Sequence, residues 1–286
     1  MVSEIKIQKL AGVMGWPISH SLSPQLHGFW LRQYGINGSY VPLAVSPANL
    51  ESALRSLPKL GFSGTNVTVP HKEQALELVD VVDAVAKRIG AVNTIFVQPD
   101  GSLLGTNTDA IGFLENLKFF APTWQPISET CVVLGAGGAA RAVVAALVDA
   151  GVGEIRLVNR TLARAETLAD DIGGPVSVHG WEVASQVLDG AGLVVNTTTL
   201  GMQGQPPLDI SFDGLQSNAL VTDIVYTPLI TPFLEKAAAR GIKTVDGLGM
   251  LLHQAAPGFE GWFGQKPHVS PELRAFVLQT ISDRDI

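Results

Sequence analysis

The sequence has one cysteine, few charges, few aromatic residues and no apolar run long enough to span a bilayer. Each shortage excludes something. With Cys131 alone no internal disulfide can form, and its place in the apolar run Cys131-Val132-Val133-Leu134 reads as a buried strand residue without a chemical role. Charged residues make up 16% of the chain against a usual figure of about 25%, and mean hydropathy is +0.27, so the chain has ample core material and no disordered character. Basic residues are the minority, 19 Lys and Arg against 26 Asp and Glu, giving a net charge of -7. An acidic surface without basic clusters attracts neither nucleic acid nor an anionic membrane, so local groups must hold any anionic ligand. The opening, Met1 to Gly12, alternates apolar and polar residues and lacks the apolar core of a signal peptide, which predicts a cytoplasmic protein. No metal site is expected, and the oligomeric state is left open, a homodimer included.

At 286 residues the chain exceeds what one core usually serves, so two domains with a cleft between them are expected. The early part alternates strands (9–14, 40–45, 65–69) with helices opening at Ser23-Pro24, Pro47 and Pro70, proline being suited to the first helical position. A hairpin follows around Pro99-Asp100-Gly101, and Asp109 precedes a helix over 110–119. After the linker 121–126, strands at 130–134, 154–158, 193–196, 220–223 and 244–245 alternate with helices, including one over 232–240 capped by Thr231. That rhythm predicts an open, mostly parallel α/β sheet. The expected layout is an N-terminal α/β domain, residues 1–109, completed by returning C-terminal helices in 248–286, and a Rossmann-like domain over 110–247.

Gly135-Ala136-Gly137-Gly138-Ala139-Ala140 follows an apolar strand and opens a helix, the context a dinucleotide-binding glycine turn requires. Gly135 allows the tight turn, Gly137 lets a pyrophosphate approach the backbone, and Ala140 lets helix and strand pack closely. The helix N-terminus supplies free N–H groups for phosphate. The next strand ends in Asn159-Arg160-Thr161, where an NAD-binding turn carries an acidic residue for the ribose hydroxyl. Arg160 and Arg164 suit a 2'-phosphate instead, and Thr161 adds a hydroxyl, so NADP is the expected cofactor.

Ser19-His20-Ser21-Leu22-Ser23-Pro24 sets hydroxyls beside a helix N-terminus, where a carboxylate is favoured. Ser23 also reads as an ordinary helix cap, whereas Ser21 does not. His20 and His27 read as surface or packing residues. In Asn66-Val67-Thr68-Val69-Pro70-His71-Lys72 the lysine falls near the third position of a helix, where the dipole disfavours an amine's charged form. Such a lysine can serve as base toward an alcohol and acid toward a ketone. Asp109, ending Gly105-Thr106-Asn107-Thr108-Asp109, is a helix cap or the carboxylate that orients that amine. Asn93 reads equally as a turn residue, and Thr68 as an ordinary strand residue.

Together these motifs resemble the shikimate dehydrogenase family, from Gly15-Trp16-Pro17-Ile18-Ser19-His20-Ser21 to Gly247-Leu248-Gly249-Met250-Leu251-Leu252-His253-Gln254-Ala255. The resemblance implies reversible NADPH-dependent reduction of 3-dehydroshikimate to shikimate, a step of aromatic amino acid biosynthesis. It implies Lys72 and Asp109 as the catalytic pair and Ser21 and Ser23 as the carboxylate site. Thr68, Asn93, Tyr226 and Gln254 would meet the ring or its hydroxyls. For the cofactor it implies Gly135, Ala136, Gly137, Gly138 and Ala139 at the pyrophosphate and Asn159, Arg160, Thr161 and Arg164 at the adenosine phosphate. Ile224 and Gly247 would lie near the nicotinamide. One departure is Asn196-Thr197-Thr198-Thr199-Leu200-Gly201-Met202, where the family often has Ala and Pro in place of Thr197 and Thr199; a wetter, less rigid loop is the expectation. The rival readings are a quinate or dual-substrate dehydrogenase, which Ser21, Ser23 and Arg160 weigh against, and a cofactor-sensing regulator, which Lys72 and Asp109 weigh against.

Overall fold

The computed structural model describes residues 8–127 and 129–284. Contacts divide the chain into two units, one running through Thr108 and resuming at Gln254, the other spanning Asp109–His253. Among the described residues no helix is long and apolar enough to cross a membrane.

The first unit is built from β1 (Lys9–Gly15), α1 (Ser23–Gln33), β2 (Gly38–Ala44), α2 (Leu50–Ser56), β3 (Phe62–Val67), α3 (Lys72–Leu78), β4 (Val81–Val82), α4 (Ala84–Ile89), β5 (Thr94–Val97) and β6 (Leu103–Thr106). Its sheet runs β2-β1-β3-β5-β6-β4, parallel where helices make the crossovers and antiparallel where β5 pairs with β3 and β6. The expected hairpin joins β5 and β6, its turn held by the Asp100 carboxylate accepting the Ser102 N–H at 2.9 Å. Met14, Leu50, Leu54, Val67 and Ile95 pack a core on one face of this sheet.

Two starts differ from the sequence reading. A short 3-10 turn over Pro47–Asn49 precedes α2. Helix α3 begins at Lys72 and not at Pro70, because residues 68–71 form a turn closed by the His71 N–H on the Thr68 carbonyl at 2.9 Å. Lys72 is thus the first helical residue, at the mouth of β3.

The second unit contains α5 (Asp109–Phe120), β7 (Thr130–Leu134), α6 (Gly138–Asp149), β8 (Glu154–Asn159), α7 (Leu162–Ile172), β9 (Val176–Gly180), β10 (Leu193–Asn196), β11 (Leu220–Asp223), α8 (Pro232–Ala238) and β12 (Lys243–Val245). Every pairing in its sheet, ordered β12-β11-β10-β7-β8-β9, is parallel. This is the expected Rossmann-like arrangement, with the strand order reversing between β7 and β10, where such sheets take their ligands. Strands β7 and β10 are buried on both faces, hence their unbroken apolar sequences. Cys131 lies there, fully buried, and burial pushes its thiol pKa up. Thr231 caps α8 as expected, its hydroxyl accepting the Leu234 N–H.

Helix α9 (Leu248–Phe263) contains the boundary between units, and α10 (Pro271–Arg284) belongs to the first. Helix α10 packs on α1 through Phe29 and Phe276, ring centroids 5.3 Å apart, with the Arg32 guanidinium over the Phe276 ring. The Trp262 indole N–H donates to the Ile95 carbonyl at 3.0 Å, and that of Trp30 to the His268 carbonyl at 3.1 Å. The C-terminal helices are therefore part of the first unit's core.

Candidate active site

In the first unit the expected substrate residues gather at the C-terminal ends of β1 and β3 and around the start of β5. Helix α1 starts at Ser23 itself, with Leu22 before it and no side chain capping it, so Ser23 does not serve as an N-cap. The Ser21 hydroxyl instead accepts the Ser23 N–H at 3.3 Å. Half-buried Thr68 is tied to β1 by its N–H on the Met14 carbonyl at 2.9 Å.

A buried polar chain runs beneath these residues. The Ser23 hydroxyl bonds the phenol of Tyr40, which donates to Asn66 Oδ1 at 2.6 Å. Asn66 Nδ2 donates to the Asn93 carbonyl and to Thr94 Oγ1, at 3.1 and 3.0 Å. Thr94 Oγ1 donates to Asn93 Oδ1 at 2.9 Å, which also accepts the Thr108 N–H at 2.8 Å. That leaves Asn93 Nδ2 aimed at Thr108 Oγ1, at 3.1 Å, and toward Gln254 Oε1 at the 3.5 Å limit of hydrogen bonding. Asn93 is thus a buried amide held by its neighbours, not a solvated turn residue.

The chain segments leading into the two residues expected to do chemistry are tied to the same stretch. The Val92 N–H donates to the Lys72 carbonyl at 2.9 Å, so the start of α3 is anchored one residue before Asn93. Thr108, bonded to Asn93 itself, immediately precedes Asp109, the buried first residue of α5. His71, buried beside Lys72, anchors this turn through its Nε2, 2.7 Å from the Val45 carbonyl. His27 is fully buried, its ring stacked on that of Tyr40 at 3.9 Å and 6°, and burial takes its pKa down to about 3. It is a packing residue, as expected, and carries no charge there.

In the second unit the glycine turn stands between β7 and α6. Gly135 has φ +108°, which only glycine adopts without strain, and its N–H bonds the Val158 carbonyl at 2.8 Å. A Cβ on Gly137 or Gly138 would meet nothing within 4 Å, so the space above the helix N-terminus is clear. Ala140 is fully buried. Clear space, free helix N–H groups and a small-residue floor suit a diphosphate. At the end of β8, Asn159 Nδ2 bonds the Thr161 carbonyl at 2.8 Å, shaping the turn that presents Arg160, Thr161 and Arg164 to solvent. Among the described residues no carboxylate pairs with Arg160 or Arg164, and the Thr161 hydroxyl does not cap α7. All three remain available to an anion.

Ile224 and Gly247 meet, since a Cβ on Gly247 would strike the Ile224 carbonyl. Tyr226 lies two residues beyond Ile224 in the loop after β11, and so in the second unit, apart in the chain from the other substrate candidates. The loop after β10 is more firmly held than its threonines suggested. Both the N–H and the hydroxyl of Thr197 donate to the Leu134 carbonyl, at 2.9 and 2.7 Å, and the Thr198 hydroxyl donates to Asn196 Oδ1 at 2.7 Å. The Thr197 and Thr198 hydroxyls thus find local acceptors, which holds this part of the loop, while Thr199 is exposed. Asn196 Nδ2 in turn donates to buried Asp223, which also accepts the Thr231 hydroxyl. Burial raises the Asp223 pKa to about 6 despite those donors.

Family models fit both units. The shikimate dehydrogenase substrate binding domain matches residues 13–95, shikimate / quinate 5-dehydrogenase matches 124–201, and the shikimate 5'-dehydrogenase C-terminal domain matches 247–271. A shikimate dehydrogenase (NADP(+)) of Paramagnetospirillum magneticum is 62% identical over 94% of this chain and 98% of its own. The chain belongs to the shikimate dehydrogenase family. Among solved structures, a shikimate 5-dehydrogenase of Thermus thermophilus in complex with NADP(H) and shikimate aligns with TM-score 0.83 at 38% identity, covering 98% of this chain and all of that one. A quinate dehydrogenase of Corynebacterium glutamicum in complex with NAD aligns with TM-score 0.88 at 32% identity, covering 95% and 99%. Shikimate dehydrogenases of the NADP-dependent class are oxidoreductases, and this chain is one of them by its relatives.

Tyr40, Asp223 and the role of Asn66 escaped the sequence reading. Tyr40 and Asp223 sit in strands without a motif of their own, and only the hydrogen bonds identify them.

Proposed function

We propose that Lys72 and Asp109 perform the acid–base chemistry in the reversible NADPH-dependent reduction of 3-dehydroshikimate to shikimate, in the route to chorismate and the aromatic amino acids. The observation that supports this reading is that the Lys72 carbonyl takes the Val92 N–H while the Thr108 N–H reaches the Asn93 side chain, so the segments leading into Lys72 and Asp109 are tied to consecutive residues.

NADPH, when bound, supplies the hydride that goes to the carbonyl carbon. Lys72 gives a proton to the oxygen in reduction and takes it back in oxidation. Asp109 orients the amine and accepts a bond from a substrate hydroxyl. Ser21 and Ser23 hold the carboxylate, and Thr68, Asn93, Gln254 and Tyr226 hold the ring and its hydroxyls. Gly135, Ala136, Gly137, Gly138 and Ala139 line the pyrophosphate, Ile224 and Gly247 face the nicotinamide, and Asn159, Arg160, Thr161 and Arg164 take the adenosine phosphate. We infer a cytoplasmic location from the acidic composition and single cysteine.

Lys72→Ala tests the assignment. Turnover should fall by about two to four orders of magnitude, the range of general acid–base catalysis, with a much smaller change in the KM for shikimate. Near-normal turnover would refute the role. Assaying shikimate and quinate, each with NADP and NAD, tests specificity. Activity should be highest with shikimate and NADP, and Arg160→Ala should raise the KM for NADP more than that for NAD.

A further inference from the structure

The Tyr40 hydroxyl is a polar group in an otherwise apolar setting. Its ring is 7% exposed, stacked on His27 and packed near Trp262, whose ring centroid lies 5.9 Å away. Packing therefore accounts for the ring and leaves the hydroxyl to be explained. That hydroxyl bonds the Ser23 side chain on one side and Asn66 on the other, joining α1 to β3. Burial pushes the phenol's pKa well above its usual value, so it stays protonated and donates.

The phenol's proton on Asn66 Oδ1 matches the orientation that the Asn93 carbonyl, an acceptor only, requires of Nδ2, and it satisfies the buried amide oxygen. Thr94 Oγ1, receiving from Asn66, has Asn93 Oδ1 at 2.9 Å and Thr108 Oγ1 at 3.2 Å as partners for its own proton.

We propose that Tyr40 is a positioning residue for substrate binding, its hydroxyl tying the start of α1, through Ser23, to Asn66 of β3, the side chain that supports Asn93. The inference rests on the assignment of Ser23 and Asn93 to the substrate site. Tyr40 touches no substrate and acts through these side chains alone. Its removal therefore weakens the hold on shikimate while leaving the proton transfer and the dinucleotide turn intact.

Tyr40→Phe deletes the hydroxyl and keeps the stacked ring. In the full chain the KM for shikimate should rise about tenfold, with kcat within about threefold of wild type and the KM for NADP unchanged, since the buried oxygen of Asn66 loses its donor. Parameters for shikimate within twofold of wild type would overturn the proposal. So would parallel losses in kcat and in both KM values that track a fall in the folded fraction by circular dichroism, the mark of a purely structural residue. Ser23→Ala and Asn93→Ala, measured alongside, separate the two layers. If these leave shikimate kinetics unchanged, the site assignment itself fails. If they weaken binding while Tyr40→Phe does not, only the role of Tyr40 fails.

Discussion

At His27 a titratable ring lies fully buried against Tyr40, Trp30, Phe259 and Trp262, and neither ring nitrogen has a hydrogen-bond partner. Its folded pKa of about 3 lies below the ordinary 6.5, so between those values the unfolded chain binds a proton that the folded chain refuses. Stability is therefore full above pH 6.5 and falls as the pH drops, by about 1.4 kcal/mol per unit from this group. His27→Leu should remove that loss. Its urea midpoint, compared with wild type, should improve between pH 7.5 and pH 5, and a constant difference would contradict the assignment. Asp223 has the opposite sign. Burial raises its pKa to about 6, so its contribution is present below 3.8 and lost as the pH rises through 6. Asp223→Asn, which keeps the shape, should therefore make the protein more acid-sensitive between pH 6 and pH 4 than wild type.

The turn from β7 into α6 is the element proposed to take the cofactor's pyrophosphate. Its glycines are required for different reasons. Gly135 has positive φ, and a Cβ there would come within 2.8 Å of Thr197 Oγ1, so Gly135→Ala strains the backbone and breaks the tie to the loop after β10. A loss of about 1–3 kcal/mol is expected, read as a lowered Tm. Gly137 is extended, with open space where a side chain would stand. Gly137→Ala should leave Tm nearly unchanged and raise the KM for NADP, because the methyl group occupies only the approach to the helix N-terminus. A Tm loss equal to that of Gly135→Ala would show that the space is structural. The glycine turn was legible because its geometry is local, dictated by a few consecutive residues. The firmness of the neighbouring loop was not, because the acceptor for Thr197 is the Leu134 carbonyl on another strand.

For the molecule as a whole, the segment from Gln254 onward matters more to the first unit than its position in the chain suggests. It supplies Gln254 itself, the Trp262 bond to β5, and the α10 packing on α1. A chain ending after His253 should lose shikimate binding by calorimetry and retain NADP binding through its complete parallel sheet. Loss of both would show that the second unit does not stand without the first.

The sequence by itself determined the second unit almost entirely. Parallel strands buried on both faces leave continuous apolar runs, the glycine turn is contiguous, and Arg160 and Arg164 come directly after β8. Strands β4 and β9 were missed, being a two-residue pair and a sheet edge with partly exposed positions, which carry no strong apolar pattern. Lys72 was recognisable as a cation out of place at a helix start, whereas Asp109 read equally as an ordinary cap. That the segments leading into them are tied to neighbouring residues was decided only by the tertiary structure. Tyr40, Asn66, Asn93 and Thr108 come from separate strands and a loop, and only the sheet order β2-β1-β3-β5-β6 brings their hydrogen bonds into one chain. Hydrogen bonds between side chains on different strands leave no periodicity in sequence, and it is these bonds that turn a set of polar residues into a shaped site.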